Sequence, residues 1–160
     1  MSKHLKRLSA PKTWKIERKE TKYIAKATPG PHKHGLYMPL NVVMRDLLKV
    51  ATTDREVKYI LHNKTVLVDG KQRKDSQFPI GLFDVITFKD INEHYRMVLD
   101  KKGILTLIKA KEPTLKLHKV TGKKNVNGKT QVNLFDGKNI LIEKDNFSVS
   151  DSVLISFDKP

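Results

Sequence analysis

The 160-residue sequence contains no cysteine, which excludes disulfides and thiolate zinc sites and suits a reducing compartment. No apolar run approaches the roughly 18 residues needed to span a bilayer. The N-terminus has no apolar core of a secretory signal, and Glu17 and Glu20 interrupt a stretch that could otherwise pass for a mitochondrial leader. There is no phosphate-binding P-loop, no GxGxxG after a strand, no nucleophile elbow and no Asp-rich metal cluster. Catalysis therefore has no support in the residues, and neither a cofactor nor a small-molecule substrate is expected. Acidic residues are scarce as well, 17 against 32 Lys and Arg, for a net charge of +15. Such an excess is costly in a compact protein unless a polyanion accepts it. With a membrane disfavoured, nucleic acid is the polyanion that fits.

The charge is unevenly placed. Residues 1–34 hold ten Lys and Arg against two acidic residues, and residues 75–160 hold fourteen against eleven. Half the excess sits in the first fifth of the chain, as in a nucleic-acid-binding arm. Residues 1–35 carry Pro11, Pro29, Gly30, Pro31 and Gly35, which forbid a long helix. Apolar area there is limited to Trp14, Ile16, Tyr23 and Ile24. The expectation is an arm that stays flexible alone and orders on its partner.

From Pro39 the period becomes helical, with Leu40, Val43, Met44, Leu47, Leu48 and Ala51 on one stripe. Thr53-Asp54-Arg55-Glu56 fits a capping box that opens a second helix. Thr65–Val68 reads as a strand, Asp69-Gly70 as a type I′ turn and Asp84–Phe88 as a closing strand. Beyond Glu93 no helical stripe appears. Strands are expected at Tyr95–Leu99, Ile104–Lys109, Leu115–Val120, Gln131–Phe135, Asn139–Ile142 and Val153–Phe157, with turns at Lys102-Gly103, Asn127-Gly128 and Asp136-Gly137. The fold class is α+β: a basic N-terminal nucleic-acid-binding arm (1–35), a module of two helices and a small sheet (36–90), and a small, mostly antiparallel β-barrel or sandwich domain (91–160).

Several stretches resemble a known family. His4-Leu5-Lys6-Arg7-Leu8-Ser9-Ala10-Pro11, followed by Trp14, is similar to the opening of the archaeal and eukaryotic small-subunit ribosomal protein family S-four-e. Thr28-Pro29-Gly30-Pro31-His32-Lys33 and Leu47-Leu48-Lys49-Val50-Ala51 continue the likeness. So do Val68-Asp69-Gly70-Lys71, Arg73, Asp75, Pro79 through Gly81, Asp84, Val85 and Ile86. The 36–90 block resembles the α-L RNA-binding module. The resemblance implies a cytoplasmic ribosomal protein of an archaeon or eukaryote that binds small-subunit ribosomal RNA beside neighbouring ribosomal proteins and is monomeric when free. Family members continue into a C-terminal KOW-type barrel, which the family leads one to expect and this chain does not contain.

The candidate RNA-binding residues are the basic residues of the arm, with His4 and Trp14, and the cations expected on the RNA face of the module. In the arm they are Lys3, His4, Lys6, Arg7, Lys12, Trp14, Lys15 and, further on, Lys33. At roughly 3.3 Å per residue, Lys3–Lys15 could track about 40 Å of folded RNA. Phosphate neutralisation there would give steep salt dependence with little sequence specificity. Trp14 could stack on a base, although anchoring the arm to the protein's own core is the reading preferred for it. In the module the candidates are Arg45, Lys49, Arg55, Lys58, Lys71, Arg73 and Lys74. His32 and His34, lacking further ligands, read as RNA-facing or solvent-facing and not as a metal pair. Two alternatives stand beside a structural ribosomal role: a reversible ribosome-associated stress factor, and the RNA-binding part of an RNA-modifying enzyme.

Overall fold

In the computed structural model, which describes residues 4–126, 128–143 and 146–156, the N-terminal segment is built into the body of the protein. Leu5–Lys6 (β1) pairs antiparallel with Tyr23–Ile24 (β2), and a 3-10 turn follows at Arg7–Ser9. Ala10, Trp14 and Ile24 are buried in the main apolar cluster. Few as they are, these apolar residues are enough to hold the segment. It folds back on itself with its own strand pair and does not form the free-standing arm expected from composition.

Tyr37–Pro39 (β3) leads into a helix whose first turn, Leu40–Val42 (α1), begins after Pro39 at φ −63°. The N–H groups of Leu40 and Asn41 donate to the carbonyls of Phe78 and Ser76 at 2.9 and 2.8 Å, which satisfies donors that a helix start leaves open. From Val43 to Leu47 the helix widens into a π turn, with the Leu48 N–H donating five residues back to the Val43 carbonyl at 2.9 Å. Lys49, at φ +55°, ends it. The single α-helical stripe expected through Ala51 is therefore shorter and partly π-helical, and Leu47 and Leu48 remain half-buried.

The second helix, Asp54–Asn63 (α2), starts at the expected capping box. Thr53 Oγ1 accepts from the Glu56 N–H at 3.3 Å. The Glu56 carboxylate reaches back to the Thr52 N–H at 2.8 Å and to the hydroxyls of Thr52 and Thr53. The backbone bond from Thr52, with the two hydroxyls behind it, holds the Glu56 carboxyl below its ordinary range. Replacing Thr53 with Ala should lower stability by about 1 kcal/mol, read as a reduced denaturant midpoint with an unchanged slope.

The remainder of the first unit is sheet. Val66–Val68 (β4) and Lys71–Gln72 (β5) form the predicted hairpin, with Asp69 at φ +49° and Gly70 at φ +75°, both positive as a type I′ turn requires. Pro79–Gly81 (β6) pairs with β3. Val85–Phe88 (β7), Glu93–Leu99 (β8) and Leu105–Lys109 (β9) complete an antiparallel sheet of order β5-β4-β7-β8-β9. The division into two compact units falls between Pro113 and Thr114. It was expected at residue 91, but β8 bonds directly to β7, with Phe88 opposite Glu93. The hydrogen-bond ladder thus carries residues 93–109 into the first unit.

The second unit comprises Leu115–Val126 (β10), Lys129–Leu134 (β11), Asn139–Ile142 (β12) and Ser152–Ser156 (β13), an antiparallel sheet of order β12-β11-β10-β13. The long β10 serves two partners: Leu115–Lys119 pairs with β13, and Val120–Val126 pairs with β11. Its apolar core is Val120, Val132 and Leu134, flanked by half-buried Ile140, Ile142, Val153 and Ile155. The expected strands in this region are present among the described residues, with β10 running well past Val120 and Phe157, the expected end of the last strand, lying outside them. Asn127, in one expected turn, lies outside the described residues.

Candidate nucleic-acid interface

Arg7 and His32, read as facing RNA or solvent, turn inward, and Trp14 takes the anchoring place preferred for it over stacking on a base. Arg7 is 1% exposed, and its Nη1 lies 2.9 Å from Glu20 Oε2 and donates to the Glu17 carbonyl. Its Nη2 sits 3.5 Å from Asp46 Oδ1. A guanidinium so enclosed is an internal tie between the N-terminal segment and the π turn, not a phosphate ligand. Trp14 is 4% exposed and its Nε1 donates to the Tyr37 carbonyl at 2.7 Å. The indole is therefore an anchor and has no face to offer a base. His32 is buried, with Nε2 2.8 Å from Asp84 Oδ2, which also accepts from the Gly81 N–H at 2.8 Å. A Cβ on Gly81 would overlap the His32 ring, so glycine there admits the histidine. Lys3 lies outside the described residues.

The other candidates remain at the surface. Lys6, Lys12, Lys15 and Lys33 are exposed. His4 is exposed too and meets Tyr23 edge-on at 5.3 Å. Lys15, Arg45 and Lys49 come together around an open groove of about 550 Å³ that Glu17, Glu20 and Asp46 also line. Arg45 is half-buried, 3.4 Å from Asp46. It also borders a neighbouring groove with Lys58 and Tyr23. Arg55 and Lys58 project from α2, and Lys58 is held 2.7 Å from Asp54. Lys71 and Lys74 are exposed and Arg73 is half-buried, its guanidinium 4.2 Å above the Phe78 ring. Lys33, Lys71, Arg73 and Lys74 line neither groove.

The sequence reading passed over other exposed cations. Lys19 and Lys22 are exposed near β2, and Lys119, Lys124 and Lys129 on the second unit's sheet. It also passed over Tyr59, 68% exposed on α2. That position was discoverable, because Tyr59 falls off the Val57–Ile60–Leu61 stripe and on the side of Arg55.

The N-terminal 34 residues match the RS4NT (NUC023) domain, and residues 91–159 match the profile described as Ribosomal family S4e. Small ribosomal subunit protein eS4 of Methanococcus aeolicus is 44% identical over 163 residues, covering 96% of this chain and 67% of that protein. The chain belongs to the ribosomal S4e family. Its relative in Archaeoglobus fulgidus, also named small ribosomal subunit protein eS4, is 47% identical over 95% of this chain and 64% of its own length. The chain thus spans about two thirds of the length of these S4e relatives. The crystal structure of the 30S ribosomal protein S4e from Thermoplasma acidophilum matches with a TM-score of 0.65 at 31% identity, over 78% of this chain and 65% of that one. An α+β fold with two short helices and several antiparallel sheets is shared with this S4e neighbour. No helix among the described residues is long and apolar enough to cross a membrane.

Proposed function

We propose that the protein is a structural, non-catalytic constituent of the small ribosomal subunit that binds ribosomal RNA and supports translation. The observation that carries this reading is the 44% identity to a relative named small ribosomal subunit protein eS4, extending over 96% of the chain. The net charge of +15 and the exposed Lys6, Lys12, Lys15, Lys33, Lys49, Arg55, Lys58, Lys71 and Lys74 support it. Residues 36–90 act as an α-L RNA-binding module, and cytoplasmic ribosomes are the site of action. Neighbouring ribosomal proteins complete its surroundings, and the free protein is a monomer.

The phosphate-facing residues on this reading are the exposed lysines, with Arg45 and Arg73 as half-buried supports. Lys presents a point charge to phosphate, and counterion release makes the affinity fall steeply with salt. Sucrose-gradient fractionation of native lysate at low and moderate salt tests the reading. Stoichiometric sedimentation with small subunits that persists through moderate salt is expected. Appearance on a stressed minority of subunits alone would replace the structural role with a transient one.

A further inference from the structure

The solvent side of α2 carries a feature that phosphate neutralisation does not use. Arg55, Tyr59 and His62 stand at i, i+4 and i+7, a spacing that aligns side chains along one helix face about 5–6 Å apart. Tyr59 is 68% exposed, and its ring packs on no other ring among the described residues. Val57 and Leu61 hold the opposite face in the core, so the phenol is displayed from a fixed helix. Its neighbours are also held. His62 Nδ1 lies 2.8 Å from the Lys58 carbonyl, and Asn63 Nδ2 donates to the Tyr59 carbonyl at 3.1 Å.

The acids on this helix are already engaged. Glu56 is bound by Thr52 and Thr53, and Asp54 by Lys58 and the Asn41 amide. Arg55 makes no ion pair among the described residues. What the face offers a ligand is an aromatic plane one turn from the Arg55 guanidinium, a combination suited to nucleic acid. A paired A-form helix keeps its base faces stacked inside, so a protein ring can stack only on a base from a loop, bulge or end. We propose that Tyr59 is a stacking platform for one unpaired ribonucleotide base, with Arg55 taking a flanking phosphate. The proposal rests on the RNA-binding reading above and adds to it a position where unpaired RNA is selected.

The test uses the full chain and transcribed small-subunit ribosomal RNA from Archaeoglobus fulgidus, with Tyr59→Ala, Tyr59→Phe and a photo-reactive azidophenylalanine at position 59. Binding should weaken about ten-fold in Tyr59→Ala, within the span of one base–aromatic stack, while the slope of affinity against salt stays unchanged. Tyr59→Phe should restore the affinity, and the photo-reactive chain should attach to an unpaired nucleotide. The thermal midpoint should be the same in all variants, because the ring is exposed. Unaltered RNA affinity in Tyr59→Ala, or attachment to paired nucleotides or to a protein, would overturn the proposal. Failure of the unsubstituted chain to bind the RNA would instead remove the RNA-binding reading, and the stacking platform with it.

Discussion

Trp14→Ala should unfold the N-terminal segment and lower stability by about 3–5 kcal/mol, the range for deleting a buried aromatic. The indole is 4% exposed and packs in the main cluster with Ala10, Ile24 and Met38. Truncation also strips the half-buried Tyr37 carbonyl of its Nε1 donor. Domains of this size have only about 5–15 kcal/mol in reserve. A lower denaturant midpoint is therefore expected, together with rapid protease cleavage ahead of β3. The unsubstituted chain should resist cleavage there even without RNA. Trp14→Phe, which keeps area but no N–H, should fall between. A Trp14→Ala protein with normal midpoint and protease resistance but weakened RNA binding would mean that the indole stacks on a base after all.

Asp136→Asn should unfold the second unit selectively. Asp136 sits at the turn between β11 and β12, 2% exposed, with Lys116 Nζ at 3.4 Å, His118 Nδ1 at 3.4 Å and Lys138 Nζ at 3.3 Å. Burial alone would raise its carboxyl pKa. The hydrogen bond from His118 and the charges of Lys116, His118 and Lys138 overcome that and hold it well below the usual carboxylate range. Losing the charge removes the carboxylate 3.4 Å from the buried Lys116 ammonium, and breaking a buried ion pair from one side typically costs about 3–5 kcal/mol. The small apolar core of this unit has little with which to offset it. Amide exchange should show Val120, Val132 and Leu134 losing protection while β7 and β8 keep theirs.

Folding depresses this pKa, so the contribution to stability is complete above the unfolded value of about 3.9. It fades as pH falls from there through the folded value. The second unit should accordingly lose stability on acidification below about pH 4, and Asp136→Asn should remove that component of the acid dependence. An acid profile identical in both proteins would refute the assignment.

Local chemistry was readable from the sequence wherever one residue or one short motif decides the outcome. The Thr53–Glu56 box, the Asp69-Gly70 turn and the Asn139–Ile142 strand are such cases. Long-range burial was not. Along β10, the alternation of Leu115 and Leu117 with Lys116 and His118 argues for leucines inside and charges outside. The structure does the reverse: Lys116 and His118 are buried and Leu117 is 37% exposed. The reason is Asp136, twenty residues beyond Lys116, whose charge makes burial of the two bases tolerable. Arg7 is the same case, since its partners Glu20 and Asp46 are known only once the chain has folded back. For the RNA face, exposed cations were legible as a set. Their sorting into surface lysines and internal ties was not.

The attachment of the N-terminal segment has a consequence for the order of events during synthesis. The Leu105 N–H donates to the Thr13 carbonyl at 2.7 Å, beside the backbone bridge from Trp14 to Leu105. Those partners are separated by about ninety residues, which translation at about 5–20 residues per second takes roughly 5–18 s to add. Until Leu105 emerges, this tie cannot close, and ring closure over such a span comes late in any case. The growing chain therefore holds its N-terminal segment for several seconds by its early ties alone, from Arg7 to Asp46 and from Trp14 to Tyr37, a state that the finished protein no longer has.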